Sequence, residues 1–291
     1  MSYRSVFAKQ SMQNRTIIVT GGGSGIGRCC AHELASLGAK VILIGRNLDK
    51  LLTVQQEIHE DGGQADYAQL DIRIEADVDN TVAALVERHG PIYGLVNNAG
   101  GQFPSPLEQI SQRGFEAVVN TNLTGGFLMS KALFSHSMSD HGGVIVNITA
   151  DYWGGMPGMG HSGAARAGME NFTKTAAWEW GHKGVRVNAV APGWVASSGM
   201  DTYEEPMRSK IPKMREDIPL KRMATESEVS SAIVFLLSEG ASFISGTTIR
   251  VDGAASQGSA VWPIRGQKAS NSVSYQGFHR AVVPSVLQQE S

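Results

Sequence analysis

Four residues carry side chains suited to chemistry at places where the sequence pattern changes character: Asn122, Tyr152, Ser162 and Arg166. Ser162 and Arg166 stand four positions apart in a helical pattern and therefore share one face. Arg166 stays protonated and cannot act as a base, so its task is electrostatic, the stabilisation of negative charge, unless it pairs with Glu170 one turn further on. Ser162 offers a hydroxyl to a substrate oxygen or caps its helix. Tyr152 follows a β-branched run and is the first candidate proton donor, because a nearby cation lowers a phenol below its usual pKa of about 10. Alternatively, Tyr152 and Trp153 line an apolar pocket. Asn122 lies inside a long helical pattern where an amide fits poorly, so it has a polar role or marks a kink near Gly125-Gly126.

A second group is built from glycines, Thr20-Gly21-Gly22-Gly23-Ser24-Gly25-Ile26-Gly27. It follows the strand-like run Thr16-Ile17-Ile18-Val19 and precedes an amphipathic run through Cys30, Leu34 and Leu37 that stops at Gly38. A strand-to-helix turn without side chains lets the backbone approach a phosphate, and the free N–H groups and dipole of a helix starting near Ile26 favour negative charge. The turn therefore reads as the seat of a dinucleotide pyrophosphate.

The elements that must position these groups alternate along the chain. Strands are expected over 40–45, 65–70, 92–96, 144–148, 185–190 and 247–251, and helices over 48–59, 75–88, 107–136, 160–180 and 226–237. Such alternation specifies an α/β fold, a single-domain, doubly wound parallel sheet with helices on both faces over residues 14–254. Each strand delivers polar or small residues to the carboxyl edge, where such sheets bind ligands. After the second strand, Arg46 and Asn47 stand where a carboxylate would grip the ribose of NAD; the small Gly45 leaves room and Arg46 suits a phosphate, so NADP(H) is the expected cofactor, with a solvated loop charge as the plainer alternative. Asp71 is placed to accept from the adenine amine, with Ile72 over a ring face, or else Asp71 caps the next helix. Asn97-Asn98-Ala99-Gly100-Gly101 and Pro192-Gly193-Trp194-Val195 close the list of strand ends. Residues 196–223, with three prolines and several methionines, read as a substrate lid. Residues 255–291 form a polar tail with Trp262, Tyr275 and Phe278 as anchors, either docked on a neighbouring subunit or disordered.

Composition narrows the partners. With 18% charged residues and a net charge of −2, nothing attracts nucleic acid or an anionic membrane. No apolar run reaches the length of a membrane span, and the first fourteen residues lack the apolar centre of a secretory signal, so a cytoplasmic location is expected. Cys29 and Cys30 are adjacent and suit a reducing compartment. The histidines show no metal-binding spacing, so no metal is expected.

The order and spacing of the glycine turn, Asn97-Asn98-Ala99-Gly100, Asn122 and Pro192-Gly193 resemble the short-chain dehydrogenase/reductase family, with its Rossmann-type fold. The resemblance departs at the catalytic signature, a Ser after strand five followed by Tyr-x-x-x-Lys. Ala150 stands at the Ser position, Ser162 at the Tyr and Arg166 at the Lys. The runs Gly100-Gly101-Gln102-Phe103 and His161-Ser162-Gly163-Ala164-Ala165-Arg166 are similar to the enoyl-CoA and dienoyl-CoA reductase branch, although Glu170 replaces the tyrosine which the enoyl reductase uses. The resemblance implies an NADPH-dependent reduction of a carbon–carbon double bond in an acyl thioester by a homotetramer. It implies that Tyr152 acts as a displaced donor ahead of His161, that Arg166 holds the nicotinamide ribose, and that Asn122 holds a water beside Arg166. Loss of the Tyr-Lys pair disfavours alcohol chemistry more than alkene chemistry. The competing expectations are an NADP-dependent dehydrogenase of terpenoid or branched alcohols and aldehydes, and a cofactor-binding pseudoenzyme.

Overall fold

The β-branched runs of the sequence pair in parallel. In the computed structural model, which describes residues 2–258 and 272–288, strands β1 (Thr16–Thr20), β2 (Lys40–Gly45), β3 (Gln64–Gln69), β4 (Gly94–Asn97), β5 (Gly143–Ile148), β6 (Val185–Pro192) and β7 (Thr248–Val251) form one sheet in the order β3-β2-β1-β4-β5-β6-β7. The helices are α1 (Gly25–Ser36), α2 (Leu48–Glu60), α3 (Glu75–His89), α4 (Gln112–Val119), α5 (Gly125–Leu133), α6 (Ser139–His141), α7 (Gly160–Trp180) and α8 (Glu226–Leu237). Alternate residues of each strand feed opposite layers. Ile17 and Val19 of β1 pack with Leu34 of α1, Leu51 of α2 and Ile233 of α8. Ile18 packs on the other side with Val82 of α3, Met129 of α5 and Ala176 of α7. Because both faces are covered, cutting one such side chain, as in Ile18→Ala, costs about 2–5 kcal/mol.

The register fixes where the ligand crevice opens. Ile18 lies opposite Ile42 on one side and Leu95 on the other, so the chain reverses its direction of travel across the sheet between β1 and β4. The connections that leave the carboxyl ends of β1 and β4 then run to helices on opposite faces, α1 and α5, which leaves the crevice.

Three regions differ from the sequence expectation. The helical pattern over 107–136 splits into a 3-10 turn, Leu107–Gln109, and a run from α4 to α6, entered at Ser111, whose Oγ accepts the Gly114 N–H at 3.1 Å. Two wider π turns, Asn120–Thr124 and Phe134–Met138, interrupt that run. Residues 196–223, read as one long connection, contain the 3-10 segments Ser198–Thr202 and Arg208–Asp217. The described part of the tail packs on its own chain. Phe278 is buried against Tyr3 and Cys29, the Tyr275 hydroxyl donates to Arg4 O at 2.8 Å, and Val286 packs with Met200 and Ile211 under the lid. Trp262 lies outside the described residues. Among the described residues no helix is long and apolar enough to cross a membrane.

Candidate active site

The glycine turn is tied to the end of β4 through Thr20. Its Oγ1 donates to Val96 O at 3.2 Å and accepts the N–H groups of Asn98 and Ala99, both at 3.0 Å. Asn98 answers by donating from Nδ2 to Thr20 O at 2.9 Å and to Gly21 O at 3.3 Å. The turn needs its glycines: Gly21 and Gly25 sit at φ +66° and +56°, and a Cβ on Gly27 would lie 2.4 Å from Gly21 O. Ser24, the N-cap of α1, makes no side-chain capping bond, which leaves the first N–H groups of the helix for an anion.

Two clefts meet here. Gly21, Gly23, Ser24, Arg46, Asn47, Asp71, Ile72, Ala99 and Gly100 line the first. Ile26, Asn98, Gly100, Arg166, Pro192, Gly193 and Val195 line the second, so Gly100 is common to both. Gly25 and Gly27 line neither and act by shaping the turn. A turn that a single added Cβ would block, next to an open helix N-terminus, fits a dinucleotide pyrophosphate.

Individual residues in the first cleft behave differently from expectation. Asn47 caps α2, its Oδ1 accepting Lys50 N–H at 3.0 Å. Asp71 neither caps α3 nor stands unpartnered. Its carboxylate takes Arg73 Nε at 2.8 Å and Nη2 at 2.5 Å, and this bonding holds Asp71 below the usual carboxylate range. The N-cap of α3 is Ile74, so the backbone, not Asp71, starts that helix. Arg73 also lines the cleft, so that two guanidinium groups, those of Arg73 and the exposed Arg46, stand on the same side as Asp71. Sequence reasoning missed Arg73; its only local signal is its position two residues after Asp71.

The second cleft holds the reactive groups. Arg166 is 9% exposed, donates from Nη1 to Ile148 O at 2.5 Å, and reaches Gly100, where a Cβ would lie 2.7 Å from Nη2. Its Nε is buried without a hydrogen-bond partner. Burial lowers its pKa to about 10, which still leaves it charged at neutral pH. Glu170 pairs with Lys174 at 2.5 Å, so Arg166 is not one half of a surface ion pair. Ser162 does not cap α7, whose N-cap is Met159; its Oγ donates to Gln102 Oε1 at 2.7 Å. Asn122 lies in the first π turn, and both its amide atoms grip Gly101: Oδ1 accepts Gly101 N–H and Nδ2 donates to Gly101 O, each at 2.9 Å. It therefore sets the backbone beside Arg166.

Tyr152 falls outside this arrangement. Its ring stacks on Trp153 at 4.6 Å, Arg250 lies 3.7 Å over the Trp153 ring, and Tyr152 lines neither cleft. Tyr203, from residues 196–223, lines the second cleft, and its hydroxyl accepts from Gln102 Nε2 at 3.1 Å. Gln102 entered the sequence reading only as part of the run Gly100-Gly101-Gln102-Phe103, without a role of its own, and Tyr203 did not enter it, since a lone tyrosine in a methionine-rich connection carries no spacing signal. His161 is buried with its ring edge-on to Phe103 at 4.4 Å, and its Nδ1 accepts Ser162 N–H at 2.9 Å.

Known proteins share this framework. A family model described as Enoyl-(Acyl carrier protein) reductase matches residues 21–256. A Bacillus subtilis protein named "Probable 2,4-dienoyl-CoA reductase [(2E)-enoyl-CoA-producing]" is 36% identical over 245 residues, 83% of this chain and 96% of the relative. The mouse peroxisomal 2,4-dienoyl-CoA reductase is 33% identical over 255 residues, 86% of this chain and 87% of its own length. A solved structure of a citronellol catabolism dehydrogenase (AtuB) from Pseudomonas aeruginosa PAO1 superposes with a TM-score of 0.80 at 60% identity, covering 88% of this chain and 100% of that one.

Proposed function

Since this chain belongs to the short-chain dehydrogenase/reductase family and is an oxidoreductase, we propose that it uses NADPH to reduce the carbon–carbon double bond of a trans-2-enoyl-CoA or a related α,β-unsaturated acyl compound. The fold and family imply a nicotinamide cofactor. Arg46 at the rim of the first cleft favours the phosphorylated form, because a guanidinium suits a phosphate bidentately, whereas the fork of Arg73 is taken up by Asp71.

The observation that carries the reading is Arg166, a buried cation in the second cleft with Ser162 one turn before it, where the family's Tyr-Lys pair would stand. Alcohol oxidation needs a group at that place to take the hydroxyl proton. Alkene reduction instead needs stabilisation of the enolate that forms as the double bond is saturated. A buried permanent charge supplies this without reorganising. The bound nicotinamide supplies the hydride. Arg166 opposes the charge on the thioester oxygen, and Asn122 fixes the Gly100-Gly101 backbone against it. The names of the relatives in Bacillus subtilis and mouse support an unsaturated acyl-CoA as the substrate class, a 2,4-dienoyl-CoA in their case.

One observation favours a second reading. The structure at 60% identity is titled a citronellol catabolism dehydrogenase, which supports an NADP-dependent dehydrogenase of branched or terpenoid alcohols and aldehydes. NADPH consumption across a trans-2-enoyl-CoA series, beside NADP reduction with branched primary alcohols, separates the two. Turnover confined to the alcohols would overturn enoyl reduction, and NADPH binding with neither turnover would leave a pseudoenzyme. The reading includes a homotetramer, to be tested by sedimentation equilibrium.

A further inference from the structure

We infer that Tyr203 is a further catalytic residue of the second cleft: its phenol, held by Gln102, donates the proton that completes the reduction. The inference rests on the reading of the cleft as an enoyl reductase site. Tyr203 lines that cleft together with Arg166, Thr149 and Ala150. The directions of the bonds matter. Ser162 Oγ donates to Gln102 Oε1, and Gln102 Nε2 donates to the Tyr203 oxygen, so the phenol accepts in this chain and its own proton remains for the cleft. The glutamine follows Gly101, whose N–H and carbonyl are both held by Asn122 in the π turn. The Tyr203 ring packs on the cluster of Met200, Ile211 and Val286, which seats it between the lid and the C-terminal segment. Asp201, two residues earlier, is fixed by Ser285 Oγ at 2.7 Å and by the N–H of Val286 at 3.1 Å.

The step balances as follows. A dihydronicotinamide cofactor held in the first cleft would supply the hydride for the β-carbon, and the π electrons of the double bond would then move onto the thioester oxygen as an enolate whose charge Arg166 faces. The Tyr203 O–H bond then breaks, its proton bonds to the α-carbon, and solvent reprotonates the phenolate. Gln102 and Ser162 are positioning residues in this scheme, which gives the serine at the family's tyrosine position a task of a different kind.

The test compares wild type, Tyr203→Phe, Gln102→Ala, Ser162→Ala and Tyr152→Phe with a trans-2-enoyl-CoA and with a branched alcohol, following kcat, KM, the pH profile of kcat and NADPH binding by fluorescence. The expected result is a fall in kcat of about 100-fold or more for Tyr203→Phe, with KM and NADPH binding within a few-fold of wild type and the basic limb of the profile abolished. Gln102→Ala and Ser162→Ala should shift that limb with smaller losses. Enoyl turnover by Tyr203→Phe at the wild-type rate, or loss in Tyr152→Phe alone, overturns the inference while enoyl reduction stands. Wild-type turnover confined to the alcohol, lost in Tyr203→Phe, overturns enoyl reduction and keeps Tyr203 as the proton-transfer residue. No wild-type turnover with either substrate overturns both.

Discussion

The two clefts that meet at Gly100 are made of different material. The first is backbone where the glycine turn and an uncapped helix N-terminus meet it, the turn being laced to the end of β4 by Thr20 and Asn98, and it carries side chains such as Arg46 and Asp71 at its rim. The second owes its chemistry to side chains from three separate stretches, Gln102 after β4, Arg166 in α7 and Tyr203 in residues 196–223, with Asn122 of the π turn gripping Gly101 behind them. A backbone site presents the same donors whatever the ligand's far end carries, so it suits a shared cofactor. A side-chain site changes its chemistry one residue at a time, so it is where Ser162 and Arg166 stand in for the family's usual pair.

That contrast predicts that the first cleft fails sterically and the second electrostatically. The largest effect is expected at Gly27, where a Cβ would sit 2.4 Å from Gly21 O and 2.5 Å from Asn98 Nδ2. Gly27→Ala should weaken NADPH binding about 100-fold or more and lower stability by about 2–4 kcal/mol, measured by fluorescence titration and urea unfolding. Near-normal binding would show that the turn is more pliable than its contacts imply. Next, Arg166→Met should keep the volume of the buried stem but remove the charge, reducing kcat by roughly 100-fold to 1,000-fold in steady-state assays, with Arg166→Lys falling between it and wild type. Equal activity of the Met and Lys variants would mean that charge is not what the residue supplies.

Two smaller tests sharpen the comparison inside the backbone-built half. Glu226, the first residue of α8, is buried near Gly25, and burial raises its carboxyl to about 7 against an opposing pull from Arg28. A carboxyl raised on folding stays protonated in the native protein while the unfolded chain ionises. Its penalty is therefore absent at low pH, grows as pH rises from the unfolded value towards 7, and levels off above that. Glu226→Gln should gain stability over wild type by about 3 kcal/mol at pH 8 and by almost nothing at pH 4, read from urea midpoints. A pH-independent difference would place the effect in packing. The smallest effect is expected at the exposed rim: Arg46→Ala should raise the Kd for NADPH about tenfold and leave that for NADH unchanged, measured by titrating both. Equal losses for the two cofactors would remove Arg46 from phosphate recognition.

Much of the architecture was written in local pattern. The bounds of β2, α7 and α8 follow directly from β-branched runs, helical periodicity and caps such as Thr225, whose hydroxyl accepts Glu228 N–H in a capping box. The pyrophosphate seat was legible for the same reason, since a turn that tolerates no side chain must be spelled in glycine within a few residues. The anchoring role of Phe278 was half legible: its size marked it as an anchor, but its seat against Tyr3 and Cys29 of the same chain was not in the pattern.

What only the tertiary structure decided concerns side chains that meet across long stretches of sequence. Asp71 pairs with a neighbour, Arg73, yet both reach the cleft because β3 lies at the outer edge of the sheet beside β2. Tyr152 is adjacent in sequence to the strand end but stacks away on Trp153, whereas Tyr203, about fifty residues later, arrives in the cleft through Gln102. Backbone geometry is set by interactions a few residues apart, so sequence determines it locally. The direction of a side chain at a strand end depends on what packs against it, and that is known only when the whole sheet, the π turn and the lid are in place.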